Sequence, residues 1–176
     1  QLEYGLRHLF EHTTLIPQHP ELFKATIRYN ITLGLRFSEE DVSRVLRLSR
    51  FASVVRRLSK GLNAGVMEKG VSLSGGEKQR LALARGLLAG EKSDILLLDE
   101  PTSSVDSTNE LAIYKSVIAA YPKKTIISAV HRLHLLHMFD YVYYFKHGKI
   151  IAQGTFKEMQ KNKHFAPMWR AYTKRR

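Results

Sequence analysis

The chain has no cysteine. That excludes disulfides and thiolate metal sites, and it fits a reducing compartment. Long apolar runs are missing too. Nothing approaches the ~18 consecutive apolar residues that cross a bilayer, and no N-terminal secretory signal is visible. Acidic residues are scarce: 16 Asp and Glu face 28 Lys and Arg, for a net charge of +12. Such an excess suits polyanionic neighbours, whether nucleic acid, an anionic membrane face or phosphate ligands. The charge is nevertheless dispersed, as on an ordinary solvated surface. Its tightest clusters are Arg44, Arg47, Arg50, Arg56 and Arg57, and the tail Lys174, Arg175 and Arg176. Finally, no G-x-x-x-x-G-K-[ST] string occurs. Gly65 and Gly70 have the spacing but are followed by Val71. Gly148 and Lys149 are followed by Ile150 and have no glycine five positions earlier.

What is present points to one domain with a sizeable core: 176 residues, 44% hydrophobic and 25% charged. There is no internal repeat, low-complexity tract or long linker. Residues 1–17 hold a short helical piece and the strand-like TTLIP. The pattern predicts a helix over 38–60, with Ser38 and Asp41 as an N-terminal capping pair and Val42, Val45, Leu46, Ala52 and Val55 as its apolar side. Residues 61–76 read as a glycine-rich loop, and 77–89 as helix. DILLLDEP and KTIISAV are continuous apolar runs, predicted to be strands buried on both faces. Between them Ser107 and Glu110 form a capping box before a helix. YVYYFKHGKIIAQG reads as two strands joined through His147 and Gly148, and Thr155 with Glu158 caps the helices that end the chain. Strands alternating with helices predict an α/β fold with a parallel sheet, and residues 38–90 a helical lobe beside it.

Two stretches carry chemistry. In ILLLDE a strand delivers Asp99 and Glu100 to its carboxyl end, where open α/β sheets place ligands. Neighbouring strand residues point to opposite faces, so the two carboxylates can take separate jobs where the strand is ending. In phosphoryl transfer one acid holds Mg2+ and a second polarises the attacking water. A strand followed by an acidic turn also explains the pair. In VSLSGGEKQR, Ser74 offers a hydroxyl, and Gly75 and Gly76 let backbone N–H groups approach a ligand without a Cβ in the way. A helix beginning near Glu77 adds its positive dipole end, which together makes an anion cradle. A plain glycine turn before a helix is the simpler reading, but the full string LSGGEKQR is far too long a match for that.

On these residues the chain resembles the ATP-binding cassette (ABC) ATPases. LSGGEKQR resembles the family's signature motif, and QRLALARGLL the helix after it. ILLLDEP resembles the Walker B strand with catalytic Glu100, and residues 103–106, SSVD, the D-loop. Gln18 in LIPQHPELF stands at the Q-loop glutamine, and His131 in ISAVHR at the switch histidine. The motifs occur in family order and cover nearly the whole chain. PELFKATIRYNITLG, LSKGLNAGVMEKG with Glu68, and GTFKEMQKNKHFAPMWRAY are similar to exporter segments. Met67, Lys69 and Pro101 depart from the usual glycine, arginine and alanine.

The resemblance implies a partial P-loop NTPase (RecA-like) sheet with a helical signature subdomain, the Walker A strand and helix being absent. Residues 19–90 would form the helical subdomain, and 1–18 with 91–176 part of the catalytic core and C-terminal helices. It implies an ATPase driving export, with ATP and Mg2+. Asp99 and Gln18 would hold the metal, Glu100 would be the general base, and His131 would contact the γ-phosphate. Ser74, Gly75 and Gly76, with Asp106, would bind nucleotide held by an opposite cassette. The implied partners are a second nucleotide-binding domain, identical or not, and transmembrane domains at the cytoplasmic face of a membrane, with no specific nucleic acid. The chain then reads as the C-terminal portion of a cassette, inactive by itself. In the family the P-loop strand lies between the strand before His131 and YVYYF, so open strand edges, low stability or self-association are expected. Two alternatives stand beside this reading: an ABC ATPase acting on DNA or ribosomes, and a non-catalytic cassette partner. His131, His134 and His137 do not share one helix face and lack further ligands for zinc. Phe165, Trp169 and Tyr172 are a packing face.

Overall fold

A computed structural model describes residues 5–66 and 72–174. The exporter-like positions Met67, Glu68 and Lys69 lie outside them, as do Arg175 and Arg176. The chain divides into two units, residues 1–129 and 130–176.

In the first unit, α1 (Leu6–His12) leads into the first of three strands, which run parallel in the order β1 (Thr13–Ile16), β2 (Ile95–Asp99), β3 (Thr125–Ala129). The register sets Ile16 beside Leu98 beside Ser128, and Leu15 beside Leu97 beside Ile127. Period two therefore sorts the side chains into two faces. Ile16, Leu96 and Leu98 are buried, beneath α5 (Gly75–Ala89) and α6 (Ser107–Ala120). The other face is open: Leu15 is 59% and Ile127 55% exposed, and Leu97 is half-buried. This corrects the expectation of strands buried on both faces. An apolar run encodes the capacity for two-sided burial, and among the described residues one side is covered. The far edge of β3 likewise pairs with no strand among the described residues.

Helix α5 is the centre of this unit. It is buried on several sides, through Leu81, Leu83, Ala84, Leu87 and Leu88, because it packs on β1, on α2 (Ile27–Thr32) and on α3 (Glu39–Leu48). It comes so close to β1 that a Cβ on Gly86 would lie 2.5 Å from Cγ1 of the fully buried Ile16. The helix starts at Gly75, two residues before the predicted start, because Ser74 and Glu77 form a reciprocal capping box. The Glu77 N–H donates to Ser74 Oγ, and the Ser74 N–H donates to Glu77 Oε2.

The helix predicted over 38–60 is two helices, α3 and α4 (Ala52–Arg57). Ser38 caps the first, as expected, by accepting from the Asp41 N–H. The break falls at Arg50, whose φ of 54° is left-handed. It resets the helical phase, so that Phe51 and Val54 enter the core in place of Ala52 and Val55. Asp106, not Ser107, caps α6, accepting from the Asn109 N–H. Asp106 stands three residues before that donor, the N-cap to N3 spacing, which Ser107 does not have.

In the second unit, β4 (Val142–Lys146) and β5 (Lys149–Gly154) form an antiparallel hairpin. His147 and Gly148 turn it with φ of 49° and 71°, the left-handed pair that a tight hairpin requires. Thr155 and Glu158 cap α7 (Phe156–Met159) with a capping box. Val142, Ala152, Met159 and Phe165 form the core, and Trp169 of α8 (Ala166–Lys174) packs against it. Trp169 meets Phe156 edge to face at 5.0 Å, so Phe165 and Trp169 are packing residues, as expected.

Two outcomes test this account of α5. Replacing Gly86 by Ala raises helix propensity by about 1 kcal/mol, but overpacking against Ile16 costs about 1–3 kcal/mol. Urea unfolding should show a net loss of stability for Gly86→Ala. The double change Gly86→Ala with Ile16→Ala should cost less than the two single losses added. The second outcome concerns Glu77. Burial alone pushes its carboxyl up, but the Ser74 N–H and Arg57, 2.5 Å away, outweigh it and hold the group below its ordinary 4.5. A depressed carboxyl stabilises the fold above its unfolded value, and that contribution is lost as pH falls through the folded value. Glu77→Gln should therefore be less stable than the native chain at pH 7, by about 0.5–1 kcal/mol. The gap should close as the melts are carried below about pH 4.

Candidate functional site

The acidic end of β2 is where the strand stops being a strand. Asp99 is its last residue and is exposed. Glu100 follows with φ at 45°, a left-handed conformation that costs a non-glycine residue about 1–2 kcal/mol. The turn takes the chain out of the sheet after Asp99, so Glu100 does not continue the strand's alternation. The turn is closed by a Ser103 N–H donating to the Glu100 carbonyl at 3.1 Å. The half-buried Glu100 carboxylate accepts from the Gln18 side-chain amide, Nε2 to Oε2, at 3.1 Å. Gln18 lies two residues beyond β1, the neighbouring strand. The parallel pairing of β1 with β2 therefore brings together two residues 82 positions apart.

The glycine turn sits at the N-terminus of α5, with Ser74 and Gly75 exposed and Gly76 half-buried. The Ser74 oxygen is engaged in capping, which leaves the hydroxyl hydrogen for a ligand acceptor. Gly76 has a second reason to be glycine that the sequence did not reveal. A Cβ there would stand 2.7 Å from the Ser104 carbonyl oxygen, so the first turn of α5 rests directly on the loop that follows Glu100. Asp106, at the end of that loop, is exposed. Hydrogen bonds from Asn109, first its side chain and then its backbone, hold the Asp106 carboxyl below its ordinary value.

Thus Gln18 and Glu100 touch, and the loop containing Asp106 packs beneath the Ser74–Gly76 turn. Asp99 adjoins Glu100 in the chain. His131 is exposed and belongs to the second unit. His134 bonds Tyr172 through Nδ1 at 2.8 Å, and among the described residues no cluster of His, Asp and Glu could hold a metal ion. No helix there is long and apolar enough to cross a membrane.

Two polar residues of consequence carried no assigned role in the sequence. Gln79, inside LSGGEKQR, is buried one turn into α5 and bonds both the Gln18 and the Ser103–Ser104 segments. Arg85 donates to the carbonyls of Asn30 and Glu21 and to Asn30 Oδ1, and burial lowers its pKa. It lines a groove of about 230 Å3, with Pro17, Pro20 and Phe23, directly beside Gln18. Long polar side chains followed by apolar helix are the signal for both. Their partners lie 24 to 64 residues away and leave no local pattern.

Comparison with known proteins identifies the family. The ABC transporter family model matches residues 3–103. The ABC multidrug transporter mdr1 of Aspergillus fumigatus is 40% identical over 153 residues, 85% of this chain and 11% of its own length. A putative export ATP-binding/permease protein of Rickettsia felis is 36% identical over 148 residues, 84% of this chain and 25% of its own. The chain thus spans a quarter or less of these relatives. Among solved structures, a bacterial Atm1-family ABC exporter with ATP bound superposes with a TM-score of 0.84 at 33% identity, over 94% of this chain and 29% of its own. A family model that covers more than half of the chain, with relatives and a solved structure of the same kind, shows that the chain belongs to the ABC transporter family.

Proposed function

We propose that the chain is the signature-bearing part of an ATP-hydrolysing cassette in an exporter. In that protein residues 19–90 form the helical subdomain, and 1–18 with 91–176 belong to the core. The observation that carries this reading is the Gln18–Glu100 hydrogen bond at the carboxyl end of β2. It supports the reading because an amide beside a carboxylate at the end of a strand suits the orienting of an attacking water molecule.

The residues present suit ATP and Mg2+ from one side. Exposed Asp99 offers the hard carboxylate oxygen that Mg2+ prefers, and the Gln18 side chain, hydrogen-bonded to the adjoining Glu100, offers an amide oxygen. When bound, Mg2+ neutralises charge that builds on the phosphate oxygens. Glu100 takes up the proton of the attacking water or orients it, and the Gln18 amide holds the carboxylate in place. His131 contacts the γ-phosphate. At the start of α5, the Ser74 hydroxyl and the Gly75 and Gly76 N–H groups donate to a phosphate held by a second cassette, with Asp106 in the loop packed against that turn. The positive end of α5 favours that anion. Because no lysine-bearing phosphate loop occurs in this sequence, the β- and γ-phosphates need groups from elsewhere.

The partners of this reading are a second nucleotide-binding domain and transmembrane domains, with the cassette at the cytoplasmic face of a membrane. The groove beside Gln18 suits an apolar contact from such a domain. The relatives named above include exporters and offer nothing for action on DNA or ribosomes.

The test is Glu100→Gln in the full-length transporter. ATP hydrolysis should fall about 100- to 10,000-fold, the range of a general base, with ATP binding retained in a nucleotide-dependent thermal shift. Hydrolysis at the native rate would overturn the assignment.

A further inference from the structure

We propose that Gln79 is a positioning residue for hydrolysis, joining the signature helix to the Glu100 end of β2 through one side chain. This rests on the function proposed above.

Gln79 is 6% exposed, and both ends of its side-chain amide are used. Nε2 donates to the backbone carbonyl of Gln18 at 3.1 Å and to Ser103 Oγ at 2.7 Å. Oε1 accepts from the Ser104 N–H at 2.7 Å. One side chain therefore bonds three groups on two separate segments. Each of those segments is hydrogen-bonded to Glu100, one at its carboxylate and the other at its carbonyl. Gln18, gripped at its carbonyl by Gln79, extends its own side chain to the Glu100 carboxylate. Ser103 and Ser104 lie three and four residues past Glu100, in the loop that its left-handed φ initiates.

The geometry reaches the glycine turn as well. Gly76 and Gln79 are three residues apart and share a side of α5. Gly76 rests on the Ser104 carbonyl with no room for a Cβ, and Gln79 bonds the Ser104 N–H. The loop after Glu100 is thereby seated on the first turn of the signature helix through both backbone polar groups of one residue, Ser104. A displacement of α5, whether by ligand or by partner, carries Ser104 and the Gln18 backbone with it. Glu100 moves relative to both unless the three stay joined.

The polarity is specific. Glutamate at position 79 has the same shape but turns two donors into acceptors. The Ser103 hydroxyl can rotate to donate to it. The Gln18 carbonyl cannot, and it would face another oxygen. Methionine keeps the length and removes all three bonds.

The experiment uses the full-length transporter with Gln79→Glu, Gln79→Met, Ser103→Ala and Glu100→Gln, measuring kcat and KM for ATP alongside thermal unfolding. Misplacement by about 1 Å can cost a hundredfold in rate. On that scale the Gln79 variants should lose about 10- to 100-fold in kcat per folded molecule, with KM within about threefold. Ser103→Ala removes one of the three bonds on an exposed residue, and should lose about three- to tenfold in kcat. It carries the test if the Gln79 variants do not fold. Native kcat per folded molecule in these variants, or a loss confined to KM, would overturn the positioning role and leave Gln79 as a fold residue. The two readings separate through Glu100→Gln. If that variant is inactive while the Gln79 and Ser103 variants keep native kcat, this inference alone fails. If Glu100→Gln hydrolyses ATP normally, the function beneath it fails.

Discussion

Helix α5 lies against its neighbours at backbone distance, and the rest of the first unit is arranged around that closeness. Gly86 brings it onto Ile16 of β1, and Gly76 brings its first turn onto Ser104. Between these two points the helix is buried on several sides by leucine and alanine. An apolar helix held this tightly has little freedom to slide, because dense packing resists small displacements. Its N-terminus nonetheless remains exposed at Ser74 and Gly75. The same element is thus a rigid core member at one end and an open donor surface at the other.

The polar contacts follow from that arrangement. A buried amide such as Gln79 is tolerated because each of its groups has a partner, and an unsatisfied one would cost about 1–3 kcal/mol. The left-handed Glu100 is held by a closed turn and by Gln18. Strain of this kind persists where surrounding contacts over-determine the backbone, and such places tend to be functional. Glu77 unites two roles: with Ser74 it caps α5, and with Arg57 it links that cap to α4.

Much of the local structure was legible. The Ser38 cap, the Thr155–Glu158 box and the His147–Gly148 turn each depend on residues within four positions of one another, and local chemistry suffices for them. The helix break at Arg50 was hidden, because an arginine in the left-handed region carries no sequence signal. Asp106 and Ser107 are both good capping residues, so the sequence does not single out Asp106 as the α6 cap. Apolar runs mark the strands but overstate their burial. Apolar composition records what a strand can bury, whereas exposure depends on which elements lie over it.

The candidate site divides along the same line. The sequence by itself determined the chemical inventory: an acid pair ending a strand, a serine–glycine turn opening a helix, and a glutamine after the first strand. Those identities are covalent and their spacing is local. Only the tertiary structure decided that Gln18 reaches Glu100, that Gly76 is required by Ser104 as much as by any ligand, and that Gln79 ties the two segments together. Each of these contacts spans more than twenty residues and exists because parallel pairing and helix packing close those distances. Hydrogen bonds between distant segments are set by packing, and packing belongs to the whole chain.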